Sequence, residues 1–169
     1  VTAYLHSLSP ATVADEEWGA LYQPAAYGDA QRYHLPDFID AFEPAQALPH
    51  LSDLARLELL RVRAFHAADA EVLSAAQVAA KLADPQSLPQ ARMRLHPSLA
   101  VFHSRFGVVS LWAAHQDVRD LAGVDLSQPE SALVQRSGDD VAVIPIAPAS
   151  AEFFRRLLGG DSLGEASAA

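Results

Sequence analysis

A chain of 169 residues, half of them hydrophobic, can bury a real core in one domain or in two small ones sharing an interface, and disorder is excluded for most of it. Twelve basic residues against 21 acidic ones leave a formal charge of -9, which repels a phosphate backbone and argues against a nucleic-acid partner. The absence of cysteine removes disulfides, thiolate nucleophiles and thiolate-bound metals together; with no apolar run of roughly eighteen residues and no signal-like start in VTAYLHSLSP, a soluble, cytoplasmic chain is expected.

The first 46 or so residues are rich in Pro, Ala and aromatics, with Tyr4, Trp18, Tyr22, Tyr27, Tyr33, Phe38 and Phe42 spread along short pieces, as expected of short helices and turns. Pro36 followed by DFIDAF predicts a short helix with Phe38, Ile39 and Phe42 on one side. Pro44 and Pro49 then lead into a long amphipathic helix, expected to run to about Ala70. Its apolar stripe passes through Leu51, Leu54, Ala55, Leu59, Val62 and Phe65. The same stripe carries Glu58, His66 and Asp69. A carboxylate there demands a cation or an external partner, because an unpaired buried charge is costly.

The segment SAAQVAAKLAD predicts a second helix, with Ser74 as its N-cap and Pro85 as its stop. After DPQSLPQ the period changes. ARMRLHPSLAVFHSRF alternates as an extended strand started or bent near Pro97. GVVSLWAAHQ fits a strand or a short helix equally well. ALVQRSGDDVAVIPI predicts a hairpin turning around Ser137, Gly138, Asp139 and Asp140, with Pro145 marking an edge strand. APASAEFFRRLLGG predicts a helix that turns Phe153, Phe154, Leu157 and Leu158 to the sheet and stops at Gly159 and Gly160. Ser162 and Glu165 stand at capping-box spacing and predict one more turn of helix.

The expected class is therefore α+β, with a mainly helical part over residues 1–90 packed on a small antiparallel sheet with a hairpin and terminal helices over residues 91–169.

Signals for chemistry are weak. Seven histidines include no HExxH, no HxH and no pair at i, i+4, and His96 and His103 would point to opposite faces of one strand. His66 and Asp69 are spaced to share a ligand or a hydrogen bond on a helix, and a structural or interface role is preferred to metal ligation. There is no GxSxG and no phosphate loop, and Glu58 and Asp69, about three turns apart on one helix, stand too far from each other for a two-carboxylate site, so no catalytic residue is assigned. The acid in the stripe, Glu58, is expected to pair with Arg92 or Arg94 from the strand; its competing use is recognition of another protein.

LPHLSDLARLELLRVRAFHAAD, then RLHPSLAVFHSRFGVVSLWAAHQ, then a hairpin and FFRRLLGGDSLGEA, together resemble the HvfC/BufC family, long labelled a DNA-binding domain family, over roughly residues 35 to 166. The shared pattern is an ARLE helix running to YHAAD, an LHPS strand, a Trp segment ending in HQ, and an LGEA tail; Phe65 stands where the family often has Tyr. A YRNNV-like N-terminal extension is missing, as in the short members that serve biosynthesis of the copper chelator methanobactin and as in a trimmed longer relative.

The resemblance implies a non-catalytic accessory subunit that docks on an MbnB-like multinuclear non-haem iron oxidase and presents an MbnA-like precursor peptide, whose cysteines become oxazolone and thioamide groups. Iron would sit on the partner, with no cofactor or metal on this chain, and neither nucleic acid nor membrane is an expected partner. An extended leader can join an open strand edge, at Leu95 to Phe106 or along the hairpin. Peptide contacts are expected at Arg92, Arg94, His96, Phe102, His103 and Arg105, and the oxidase interface at Glu58, His66, Asp69, Trp112 and His115. The alternative is a DNA-binding regulator that uses AEFFRRLLGG as a reading helix.

Overall fold

The computed structural model describes residues 35–116 and 120–168. Helices come first and strands later: α1 Leu35–Ala41, α2 Leu51–Phe65, α3 Ala75–Leu82, β1 Ala100–Ser104, α4 Val108–Ala114, β2 Glu130–Ser137, β3 Asp140–Ile146, α5 Pro148–Leu158 and α6 Leu163–Ser167. This is the α+β class expected. The aromatic residues from Tyr4 to Tyr33 lie outside the described residues. The chain divides into two compact units between Leu59 and Leu60, inside α2, so the sequence-based division at residue 90 falls within the second unit.

In the first unit, Pro36 and Ile39 are buried, while Phe38 stacks on Phe42 at 5.4 Å with its ring largely open. Arg56 fastens α2 to α1. Its guanidinium donates to Asp53 at 2.6 Å and to Asp40, with Asp37 at 3.9 Å. A hydrogen bond from Ser52, and then the Arg56 charge, hold the Asp40 carboxyl below its ordinary range.

The inner face of α2 differs from the expected stripe. Leu51, Leu54, Ala55, Leu57 and Ala64 are buried, whereas Val62 and Phe65 are 46% and 50% exposed. The helix stops at Phe65, five residues short of the expected end, and there Arg136 donates to the Phe65 carbonyl at 3.0 Å, satisfying one of the terminal acceptors. His66 and Asp69 therefore lie beyond the helix and are exposed, which removes them from any buried face. α3 begins as expected, with a capping box between Ser74 and Gln77, and all of its residues are exposed.

The second unit is built on a three-stranded antiparallel sheet in the order β1-β2-β3. Extended chain begins at Ala100, later than the expected strand. His96 to Leu99 instead form a β-turn, with Pro97 in its second position and the Leu99 N–H donating to the His96 carbonyl at 2.9 Å. GVVSLWAAHQ resolves as helix α4, anchored by Glu130, which accepts the Ser110 backbone N–H at 2.8 Å and also the Ser110 hydroxyl. Four successive residues of β2, Ser131 to Val134, are buried, so both faces of the central strand are covered. β3 returns through a two-residue turn in which Gly138 takes a φ of 65°, a conformation that favours glycine.

α5 packs against β1 and β2. Its deeply buried residues are Ala151 and Leu157, with Phe153 and Phe154 half-buried and Leu158 exposed. Leu158 was expected on the sheet side, but it is the last residue of the helix, where the chain turns away through Gly159 and Gly160. Ser162 and Glu165 close the expected capping box of α6. Gly164 in that helix lies so near Pro89 that a Cβ would stand 2.8 Å from the Pro89 carbonyl oxygen.

Candidate functional site

Two strands of this sheet are edges, and they are not equivalent. Pro145 sits within β3 opposite Ala132; a proline is tolerated in a ladder where its missing N–H faces away from the partner strand, so it removes a donor from the outer edge. β1 carries no proline. Its backbone makes no hydrogen bond to any segment but β2 among the described residues. Among the described residues β1 is thus the edge whose outward backbone donors and acceptors, at Val101 and His103, are uninterrupted by proline.

Register assigns the side chains of β1 to faces. Ala100, Phe102 and Ser104 share one face with Val134, Ala132 and Glu130; Val101 and His103 share the other with Leu133 and Ser131. Phe102, expected to touch a peptide, is a core residue at 3% exposure, and its backbone faces Ala132 of β2, so it offers nothing at the outer edge. His103 is exposed. Its Nδ1 lies 3.0 Å from the hydroxyl of buried Ser131, a cross-strand bond that restrains the ring and does not engage Nε2. Arg105, just past the strand, is exposed with its guanidinium 4.9 Å from the Phe106 ring centre.

The remaining expected peptide contacts divide. His96 braces the turn before β1: its Nδ1 takes the Ser98 N–H at 3.2 Å and lies 2.9 Å from the Ser98 hydroxyl, which accepts the Arg136 N–H at 3.1 Å. Arg92 joins Ser162 in an isolated bridge, and its guanidinium meets the Gly160 carbonyl and Glu165. That use occupies the Arg92 guanidinium, expected beside Glu58, within the second unit. Arg94 is exposed and makes no hydrogen bond or ion pair among the described residues. The Ser162 backbone and side chain, and then the Arg92 charge, hold Glu165 below the usual carboxylate range.

Of the residues expected at a partner interface, Glu58 is half-buried in the first unit. Asp69 is an exposed partner of Arg136, and His66 stands edge-on to Phe65 at 5.1 Å. Trp112 is half-buried in α4 with the Arg61 guanidinium 4.8 Å from its ring centre. His115 caps α4 at its C-terminal end and is exposed. The sequence reading missed Ser98, Ser131, Arg136 and Glu130. Ser98 stands inside LHPS, where a Pro-Ser pair ahead of a strand signals a turn; the others carry no local signal.

Among the described residues no group of three His, Asp or Glu side chains could hold a metal ion. No helix among them is long and apolar enough to cross a membrane. No protein-family model matches the chain, and neither a curated protein nor a solved structure matches it significantly.

Proposed function

We propose that this chain is a non-catalytic, peptide-binding partner of a multinuclear non-haem iron oxidase, the role implied by its resemblance to the HvfC/BufC family. In this reading it holds the leader of a ribosomally made precursor and presents the cysteines for oxidation to oxazolone and thioamide, as in methanobactin biosynthesis. The observation that supports the reading is that the outer edge of β1 is unpaired at Val101 and His103 among the described residues. A leader laid along Ala100–Ser104 gains main-chain hydrogen bonds there, while the proline in β3 makes the other edge the poorer template. The cytoplasm is the compartment this role requires.

The exposed cluster at the end of α2, with Phe65, His66 and Asp69, and the outer part of α4, with His115, are the surfaces we assign to the oxidase. Such a mixture of aromatic and polar groups suits a protein interface. Co-expression with the neighbouring oxidase and precursor genes tests the reading. The expected result is a stable complex containing one copy of each protein, with iron on the oxidase. Elution of this chain alone, whatever precursor is present, would contradict it.

The DNA-binding alternative has less support. Both arginines of α5 are already paired, Arg155 with Glu152 and Arg156 with Asp161 at 2.7 Å, in a chain of net charge -9.

A further inference from the structure

The sheet edge carries charge information as well as hydrogen-bonding groups. Arg56, Arg92, Arg136, Arg155 and Arg156 each lie against a carboxylate. With 21 acidic residues to choose from, Arg105 has no ion pair among the described residues, and it immediately follows β1. Two residues earlier, exposed His103 is tethered by Nδ1 to Ser131, a bond that does not engage its other ring nitrogen. Two residues earlier again, Val101 lies half-buried in a cross-strand row with Leu133 and Ile144. One face of the open edge thus reads apolar, imidazole, and then guanidinium at the strand's end.

We propose that the peptide strand added to β1 is acidic, with a carboxylate side chain directly opposite His103, a second acid toward Arg105, and an apolar residue opposite Val101. This rests on the strand-addition reading above and specifies the substrate class for it. Directly opposed side chains on one face of an antiparallel pair are about 5 Å apart, within reach of a carboxylate and an imidazole N–H. Charge-assisted bonds of this kind are stronger than neutral ones, so a carboxylate at that position is selected over its amide. A basic peptide meets repulsion at Arg105 and an unmatched donor at His103.

The test uses the full chain and three fluorescein-labelled peptides, measured by anisotropy: Ser-Thr-Glu-Thr-Glu-Thr-Val-Thr-Ser, whose order places both Glu and then Val along the face in the antiparallel sense, the same peptide with both Glu replaced by Gln, and the same with both replaced by Lys. Amide exchange across Ala100–Ser104 is followed in parallel. The acidic probe should bind about tenfold more tightly than the Gln probe and slow exchange in β1, and the Lys probe should bind most weakly. In H103Q/R105Q, whose side chains retain hydrogen-bonding groups at exposed positions, the advantage of Glu over Gln should fall below about twofold. Equal binding of Glu and Gln probes with β1 protected would overturn the charge assignment while leaving strand addition standing. Failure of all three probes to bind, or binding without protection of β1, would overturn strand addition and this inference with it.

Discussion

Ser98 and Arg136, 38 residues apart, are joined across the mouth of the β1–β2 ladder by a hydrogen bond from the Arg136 backbone N–H to the Ser98 hydroxyl, at 3.1 Å. The ladder itself begins at Ala100 and Val134, so Ser98 continues it with a side chain in place of backbone. Because the Ser98 N–H donates to His96 Nδ1, that nitrogen is an acceptor, and the Ser98 hydroxyl proton points to it as well. Ser98→Ala leaves the Arg136 N–H without its acceptor and should cost about 1–3 kcal/mol in denaturant unfolding. His96→Ala should cost less, and the double variant less than the sum, since the two residues act in one network. Strict additivity would show that the His96–Ser98 bond is not formed in solution.

Arg136 also meets the C-terminal end of α2. Asp69 is almost fully exposed, so its ion pair with Arg136 contributes about 0–1 kcal/mol, whereas the bond to the Phe65 carbonyl closes a helix terminus. Arg136→Met should therefore destabilise the chain distinctly more than Asp69→Asn. Thermal unfolding of the two variants measures the difference; equal losses would assign the whole effect to the ion pair.

Gly164 and Gly123 provide a matched pair. A Cβ on Gly164 meets the Pro89 carbonyl oxygen at 2.8 Å and its Cβ at 3.0 Å, groups held by backbone and ring, while a Cβ on Gly123 meets nothing within 4 Å. Gly164→Ala should cost about 1–3 kcal/mol by forcing α6 away from residues 88–90, and Gly123→Ala should lie within about 0.5 kcal/mol of the parent. The first substitution should also speed amide exchange in α6.

Burial lowers the pKa of His50 below its ordinary value of 6.5, against the opposing charge of Asp53. Below that value the unfolded chain binds a proton at His50 more readily than the folded one. The resulting stabilisation is complete above pH 6.5 and is lost as pH falls through the lower folded pKa. A His50→Gln variant should show a shallower fall in stability between neutral pH and that range. Parallel curves for parent and variant would remove His50 from the acid sensitivity.

Local signals were readable where chemistry is local: the Ser74–Gln77 and Ser162–Glu165 capping boxes, the glycine turn at Gly138 and the edge proline Pro145 all form as their spacing predicts. What failed was long-range. The α2 stripe predicted from a 3.6-residue period included Val62 and Phe65, but burial follows whichever residues the neighbouring segments cover, and those are Leu57 and Ala64. Similarly, Arg92 was matched to Glu58 by charge alone, while its true partners, Gly160 and Glu165, lie some seventy residues further on. The candidate edge was narrowed to two places by sequence; the strand order leaves β1 and β3 both outermost, and the register that turns Pro145 to the outer side of β3 separates them. His103 was legible as a candidate; its tether to Ser131 was not, because the register that opposes them is set by the whole sheet.

The most direct test of the central claim is residue-resolved amide exchange on this chain with and without a saturating precursor peptide. The account predicts slowed exchange in β1, Ala100–Ser104, with β3 unchanged. Slowing confined to β3, or to the helices with β1 untouched, would contradict it.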